Sequence, residues 1–204
     1  MVKRIFDILF AMFGLLLFLP FFVLIVVMIK LNSPGPVIYR GIRMGRFGKP
    51  FRIYKFRTMI LNAEKCGGGT TALHDPRITR IGVFFRKYKI DEIPQLLNVI
   101  NGDMSIVGPR PELIAYTQKY NEKEMCILNV RPGITDLSSI EFNSLDECVG
   151  SVDADRVFEE YILPRKNKLR INYVKNQSFW LDIKIIFKTI WIVLEKFIKH
   201  NPIK

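Results

Sequence analysis

The chain has 204 residues, with 31 Lys plus Arg against 19 Asp plus Glu, and 49% of it is apolar, including 16 Phe. That much apolar side chain excludes a disordered polymer, and the length fits one domain with a membrane attachment or one large globular domain. The formal charge of +12 calls for anionic partners: nucleic acid, acidic lipid or a phosphorylated substrate.

In chain order, the first element is an uncharged run over residues 8–29, 22 residues long and roughly 33 Å as a straight helix. Lys3, Arg4 and Asp7 precede it and Lys30 follows. No small-residue cleavage site follows, which argues against a removed signal peptide. Pro20 near its centre deletes one helical hydrogen bond and bends or interrupts the helix. Lys30, Arg40, Arg43, Arg46, Lys49, Arg52, Lys55 and Arg57 come after the run, and no acidic residue lies between Asp7 and Glu64. Basic flanks on both sides place both ends in the cytoplasm. The expectation is a re-entrant membrane helix over residues 1–31, broken at Pro20, ahead of a cytoplasmic, membrane-associated domain over residues 32–200. A kinked span is the competing geometry.

After the rigid Pro34-Gly35-Pro36 turn, residues 37–40 and 51–56 alternate as two strands, and the Gly45-to-Pro50 stretch joins them as a hairpin. Lys55 and Arg57 share one side of the second strand, as a solvated face or as a phosphate-facing pair. Residues 58–65 form a short helix, and Gly67-Gly68-Gly69 is a loop without the GxxxxGK[ST] pattern. Residues 81–89 mix Phe84, Phe85 and Tyr88 with Arg86 and Lys87, which suits a membrane surface or a core equally. A helix carrying Gln95 to Ile100 starts near Asp91 or Glu92, with Pro94 in its first turn, and Asn101-Gly102 ends it. Arg110 stands between Pro109 and Pro111, and Arg131 precedes Pro132-Gly133. Residues 154–169 read as a helix despite Pro164. Residues 181–200, with Trp180 and Trp191 among lysines, read as an amphipathic interfacial helix.

Three scattered cysteines, Cys66, Cys126 and Cys148, form no CxxC pair, and His74 and His200 are the only histidines. A structural zinc site and a His-based triad are therefore not expected, and scattered cysteines suit a reducing compartment. The chemistry-bearing pair is Asp91-Glu92. An ionised carboxylate can hold Mg²⁺, act as a base or attack phosphorus. A helix N-terminus and the preceding Arg86-Lys87-Tyr88-Lys89 favour ionisation. Arg110, fixed by its prolines, offers a planar fork to phosphate oxygens. A bland N-capping role for Asp91 is also open. Nucleic-acid binding lacks a helix-turn-helix, a KH loop or zinc spacing, and leaves residues 8–29 unexplained.

Taken in order, several motifs resemble the monotopic phosphoglycosyl transferases, or bacterial sugar transferases. They are Tyr54-Lys55-Phe56-Arg57-Thr58-Met59, Asp75-Pro76-Arg77-Ile78-Thr79-Arg80-Ile81-Gly82, Asp91-Glu92-Ile93-Pro94-Gln95-Leu96-Leu97-Asn98-Val99, Gly102-Asp103-Met104-Ser105, Val107-Gly108-Pro109-Arg110-Pro111 and Arg131-Pro132-Gly133-Ile134-Thr135. The ending Tyr173 to Asp182 is similar to small members that handle modified UDP-HexNAc sugars, such as those transferring diacetylbacillosamine-1-phosphate. The resemblance implies an α/β fold, mostly helical with a small hairpin, on a re-entrant anchor at the cytoplasmic face of a bacterial inner membrane. It implies transfer of a sugar-1-phosphate from a UDP-sugar to undecaprenyl phosphate with Mg²⁺, as the first membrane step of glycoconjugate biosynthesis; an unmodified hexose donor such as UDP-galactose or UDP-glucose is the alternative. Asp91 would be the nucleophile and a metal ligand, and Glu92 the second member of a catalytic dyad that deprotonates or orients the acceptor. Arg86, Arg110, Lys55, Arg57 and Arg131 would bind phosphate. Anionic phospholipid and inner-membrane glycan-assembly enzymes are the further implied partners, and nucleic acid is not. The chain departs from the family pattern at Leu19, often Ser, at Gly41, often Gln, and at Asp136, often Gly.

Overall fold

A computed structural model describes residues 2–198. Helix α1, Val2–Asn32, is followed by the hairpin β1, Ile38–Met44, and β2, Pro50–Phe56, paired antiparallel with Tyr39 opposite Lys55. Next come α2, Arg80–Lys87, and α3, Gln95–Asn101, then β3, Ser105–Val107, and α4, Ile114–Thr117. Strand β4, Gly133–Thr135, precedes five more helices. These are α5, Leu137–Glu141, α6, Leu145–Val149, α7, Ala154–Val157, α8, Leu163–Lys175, and α9, Phe179–Ile198. The fold is mostly helical, with two separate two-stranded sheets. The second sheet, β3 parallel to β4, is not foreseen by the sequence, because three-residue strands show no alternation.

The expected interruption at Pro20 does not end the helix: α1 runs through it without a break. Proline's φ near −65° is helical, and one lost donor does not stop the ladder. Residues 58–65, expected as a helix, form only a bridge from Met59 to Ile78 and a 3-10 turn, Ala63–Lys65. Thr79 caps α2 by accepting from the Gly82 amide at 3.1 Å. Residues 154–169 are helical as expected, but a π segment, Phe158–Ile162, precedes Pro164 at the start of α8. The extra residue of a π turn absorbs the missing proline donor. The C-terminal helix starts at Phe179 and is described to Ile198; His200 lies outside the described residues.

The main core joins Ala11 of α1, Ile53 of β2, Leu96 and Val99 of α3, Ile106 and Val107 of β3, Tyr173 of α8, and Ile185 and Ile186 of α9. A second cluster packs Ile25 and Ile29 of α1 on Phe56 and Phe85. Phe85 and Tyr88 are thus core, while Val83 and Phe84 are exposed. Helix α1 is pinned at both ends. Arg4 donates to the carbonyls of Val99 and Ile100 at 2.7 and 3.0 Å in the last turn of α3, where the Val99 carbonyl also accepts from the Gly102 amide at 3.1 Å. Asp7, buried, accepts from Ser105 Oγ at 2.8 Å and the Ile106 amide at 3.1 Å. Lys3 donates to Val107 O and pairs with Asp182. Toward the other end, Ile29 packs in the cluster with Phe56 and Phe85, Phe22 lies with its ring centroid 5.1 Å from that of Phe56, and Ser33 just past the helix accepts from Arg57. Between these ends Phe13, Leu16, Leu17, Leu19 and Val23 are exposed. On α9, Trp180, Phe187, Trp191 and Phe197 are exposed as well.

Candidate active site

Asp91 and Glu92 lie on a single 3-10 turn, Ile90–Glu92, between α2 and α3. Lys89, at φ 60° in the left-handed region, turns the chain into it. Such backbone strain in a non-glycine residue recurs at functional sites. Both carboxylates are buried, with exposures of 5% and 8%.

Their pairing is unequal. Lys55 of β2 donates to Glu92 Oε1 at 3.0 Å and stands 3.6 Å from Asp91 Oδ2. Arg110 Nη1 donates to Glu92 Oε2 at 3.1 Å, and its Nη2 donates to Oε1. Both Glu92 oxygens are engaged, whereas Asp91 Oδ1 is buried with no hydrogen-bond partner. Burial alone would raise Glu92, but Arg110 and Lys55 outweigh it and hold the carboxyl well below the usual range. Burial pushes Asp91 up; Lys55 pulls it back, the Glu92 charge adds to the rise, and it stays above the usual carboxylate value. This reverses the expectation that a helix terminus and basic neighbours keep Asp91 readily ionised. The α-helix begins only at Gln95, so its dipole acts a turn away, and burial dominates. Burial also lowers the Lys55 ammonium, against the pull of Glu92 and Asp91.

Arg110 is held from several directions. Its backbone N–H donates to Asp136 Oδ2 at 3.0 Å and its Nη1 to the Ile134 carbonyl at 3.1 Å. The flanking segments are locked together, with Gly108 N–H donating to Thr135 O at 3.1 Å and Gly133 N–H to Pro109 O at 3.0 Å. Asp136 caps α5 through the Ser139 amide at 2.6 Å and lies 3.5 Å from Arg170 Nε. Behind it, Arg170 and Lys166 share Glu112 Oε1 at 2.6 and 3.1 Å. These two cations carry Glu112 far below its ordinary pKa despite burial, which acts the other way.

The other expected phosphate binders are placed elsewhere. Arg86 donates to Thr58 Oγ1 at 2.9 Å and Thr71 Oγ1 at 3.0 Å. Burial lowers its pKa while the Asp91 charge raises it, so the two groups sense each other without a direct ion pair. Arg131 donates to Gly102 O at 2.9 Å, which ties the end of α3 and is not a contact with the dyad. Arg57 donates to Ser33 O at 2.6 Å and Ser33 Oγ at 2.8 Å, away from Lys55 and its carboxylates. An open groove of about 650 Å³ lies between residues 66–77 and 151–156. The dyad does not line it, but Thr70 and Ala72 do, and Thr71 between them accepts from Arg86. Among the described residues no three His, Cys, Asp or Glu side chains gather as a metal-ligand set.

Comparison with known proteins decides the family. The family model described as "Bacterial sugar transferase" matches residues 1–196. The chain belongs to the bacterial sugar transferase family. This is an enzyme family, the polyprenyl-phosphate phosphoglycosyl transferases. The chain is similar to a UDP-N-acetylgalactosamine-undecaprenyl-phosphate N-acetylgalactosaminephosphotransferase of Aeromonas hydrophila, 38% identical over 96% of this chain and 44% of that protein. It is likewise 38% identical to a UDP-glucose:undecaprenyl-phosphate glucose-1-phosphate transferase of Escherichia coli, over 94% of this chain and 40% of that one. The sugar transferase EpsL of Bacillus subtilis is 37% identical over 95% of this chain and 87% of its own length. The chain thus spans less than half the length of the first two.

For this sugar transferase, reading the sequence missed the supports behind Arg110, namely Glu112, Lys166 and Arg170. It also missed Asn98, whose amide accepts from Tyr54 N–H at 2.9 Å and donates to Arg52 O at 2.8 Å, fastening β2 and Lys55 to α3. The one usable signal was Asp136, since an Asp just before Leu137-Ser138-Ser139 marks a helix start.

Proposed function

We infer that the chain transfers a sugar-1-phosphate from a UDP-sugar to undecaprenyl phosphate, releasing UMP and leaving a diphosphate-linked lipid sugar. The unequal pairing of adjacent carboxylates carries this reading. Glu92 is consumed by Arg110 and Lys55, while Asp91 keeps one oxygen free. In this scheme an oxygen of the Asp91 carboxylate attacks the phosphorus that bears the sugar. The bond from that phosphorus to the bridging oxygen breaks, and UMP departs with the electron pair. An oxygen of the lipid phosphate then attacks the same phosphorus and expels the Asp91 carboxylate. Glu92, with both oxygens engaged, positions Lys55 and Arg110 against the donor phosphates and does not act as a base. Burial makes the nucleophile hard to ionise and correspondingly basic, and therefore reactive once ionised.

Mg²⁺ fits the donor chemistry: the Asp91 carboxylate, with Oδ1 unpartnered and Oδ2 3.6 Å from Lys55, would offer a hard ion the oxygen ligand it prefers, alongside the donor's phosphate oxygens. Bound there, it would neutralise phosphate charge facing the carboxylate. The groove beside Arg86 is large enough for a nucleotide and supports donor binding on that side. The relatives' names mention N-acetylgalactosamine and glucose, which supports an unmodified UDP-sugar over the modified UDP-HexNAc suggested by residues 173–182.

The same reading places α1 as a re-entrant anchor on the cytoplasmic face of the inner membrane. Lys3, Arg4 and Asp7 are bonded to the body that Ile29 and Ser33 also touch. Putting the two ends of α1 on opposite membrane faces would drag buried polar contacts through hydrocarbon. The test is UMP release from a panel of UDP-sugars with undecaprenyl phosphate and Mg²⁺. An unmodified sugar should give acceptor-dependent release that excess EDTA stops. A flat response to every sugar would leave an acidic-lipid-binding membrane protein as the reading.

A further inference from the structure

Arg57 is the residue the mechanism leaves unused. It is 6% exposed, and of its guanidinium nitrogens only Nη2 is bonded, to Ser33 O and Oγ. Nε and Nη1 are buried without a partner. Other buried cations have acidic neighbours: Lys55 has Glu92 and Asp91, Arg77 has Asp75, Arg110 has Glu92, and Lys166 and Arg170 have Glu112. Among the described residues, no carboxylate pairs with Arg57. Burial alone moves its pKa, downward. The α1 C-terminus offers it only a helix-dipole partial charge, about half an elementary charge. A buried full charge without a counter-ion is strongly unfavourable, and the two unbonded N–H vectors specify an oxyanion.

The position specifies the kind of anion. Arg57 sits where α1 leaves its apolar run, next to Ser33 and Gly35. A Cβ on Gly35 would fall 2.2 Å from Arg57 Nη1, and Gly35 itself has φ +120°, so only glycine leaves room for the guanidinium at this point of the chain. The side chain of Leu61 lies over the same spot, 2.7 Å from that Cβ position, and is half exposed. The neighbouring α1 surface is apolar and exposed, including Val27 and Leu31. We propose that Arg57, with Ser33 and Gly35, forms a second phosphate site, separate from the Asp91–Glu92 dyad, that takes a phosphate carried on a lipid at the membrane face, with Leu61 as its movable cover. The lipid is either the polyprenyl phosphate acceptor or an anionic phospholipid. The proposal rests on the transferase reading given above.

The experiment uses the full chain in nanodiscs, comparing wild type with R57M, R57K and L61W. In neutral phosphatidylcholine discs, an acceptor site predicts that R57M raises KM for undecaprenyl phosphate at least ~10-fold, the worth of a charge-assisted hydrogen bond. Any change in donor KM should be much smaller. R57K should lie between R57M and wild type. L61W, which blocks the approach and leaves Arg57 in place, should reproduce the rise with an unchanged melting temperature, so misfolding of R57M does not decide the matter. A phospholipid site predicts a different pattern: acceptor KM holds in neutral discs, but stimulation by phosphatidylglycerol is lost in R57M and L61W. If neither acceptor KM nor phosphatidylglycerol stimulation changes in R57M and L61W, Arg57 is a cap on α1 and the proposal is overturned. If donor and acceptor steps fall together only in proportion to a lowered melting temperature, the proposal is likewise overturned. Wild-type UMP release, measured alongside, reports separately on the transferase reading.

Discussion

Replacing Gly133 with alanine tests whether the backbone behind Arg110 sets the site. A Cβ at Gly133 would lie 2.1 Å from Gly108 N, 2.4 Å from Gly108 O and 2.7 Å from its Cα, where ordinary contact starts at 3.4 Å. The two segments must part by roughly 1.3 Å to restore van der Waals contact. Every obstructing atom is backbone, so no rotamer change relieves the clash. Parting strains the bonds Gly108 N–H to Thr135 O and Gly133 N–H to Pro109 O. Overpacking of this kind costs about 1–3 kcal/mol, and a weakened hydrogen bond adds about 1 kcal/mol. Arg110 follows Gly108 by two residues and moves with it. A displacement near 1 Å in a positioning group lowers turnover on the order of 10²-fold. The assay is UMP release together with thermal unfolding in nanodiscs. Gly48→Ala is the control: its φ is +71° with no atom within 4 Å, so it should cost about 1–2 kcal/mol of strain and keep its activity. Wild-type turnover and melting in G133A would refute the claim that this contact fixes Arg110.

Asp91→Asn should abolish turnover yet raise the melting temperature near neutral pH. Asp91's folded pKa is raised, so its charge opposes folding above that pKa, and the gain of D91N should vanish as pH falls to the ordinary carboxylate value. The acid limb of wild-type activity should therefore lie above the ordinary Asp range, and a limb at or below that range would contradict a buried nucleophile. Glu92→Gln should do the opposite to stability, lowering it by about 3 kcal/mol by stranding two cations; Glu92's folded pKa is depressed, so this contribution holds above its ordinary value and fades as pH drops below it. Arg110→Lys keeps the charge but not the two-pronged contact with Glu92, and should cost about 10-fold or more in kcat/KM; unaltered kinetics would remove Arg110 from the site. A cysteine at Val2, in a chain lacking Cys66, Cys126 and Cys148, should resist an impermeant thiol reagent in intact cells until the inner membrane is opened, and periplasmic labelling would show a true span.

Local signals in the sequence reached the elements that local signals control. The hairpin was legible because residues 51–56 alternate, and the end of α3 because Gly102 takes φ +95° at a helix C-terminus. The Asp91-Glu92 pair was legible from its motif, but its electrostatics were not, because burial depends on packing by residues distant in sequence. Lys3 and Arg4 read as topology-setting charges; in the fold they are consumed by Asp182 and the α3 carbonyls. Lys55 and Arg57, two residues apart in one motif, go to the dyad and to Ser33 respectively. The Glu112–Arg170 pair spans 58 residues, a separation at which a single sequence carries no pairing signal.

The most direct test of the central claim is to trap the reaction halfway. The chain is incubated with its UDP-sugar and Mg²⁺ but no lipid acceptor, and then intact mass and peptide masses are measured. Asp91 as nucleophile predicts one sugar-phosphate adduct per chain, on the peptide holding Asp91, with one equivalent of UMP released and the adduct discharged when undecaprenyl phosphate is added. Acceptor-dependent turnover with no adduct under any quench, or an adduct on Glu92 with Asp91 unmodified, would contradict the account.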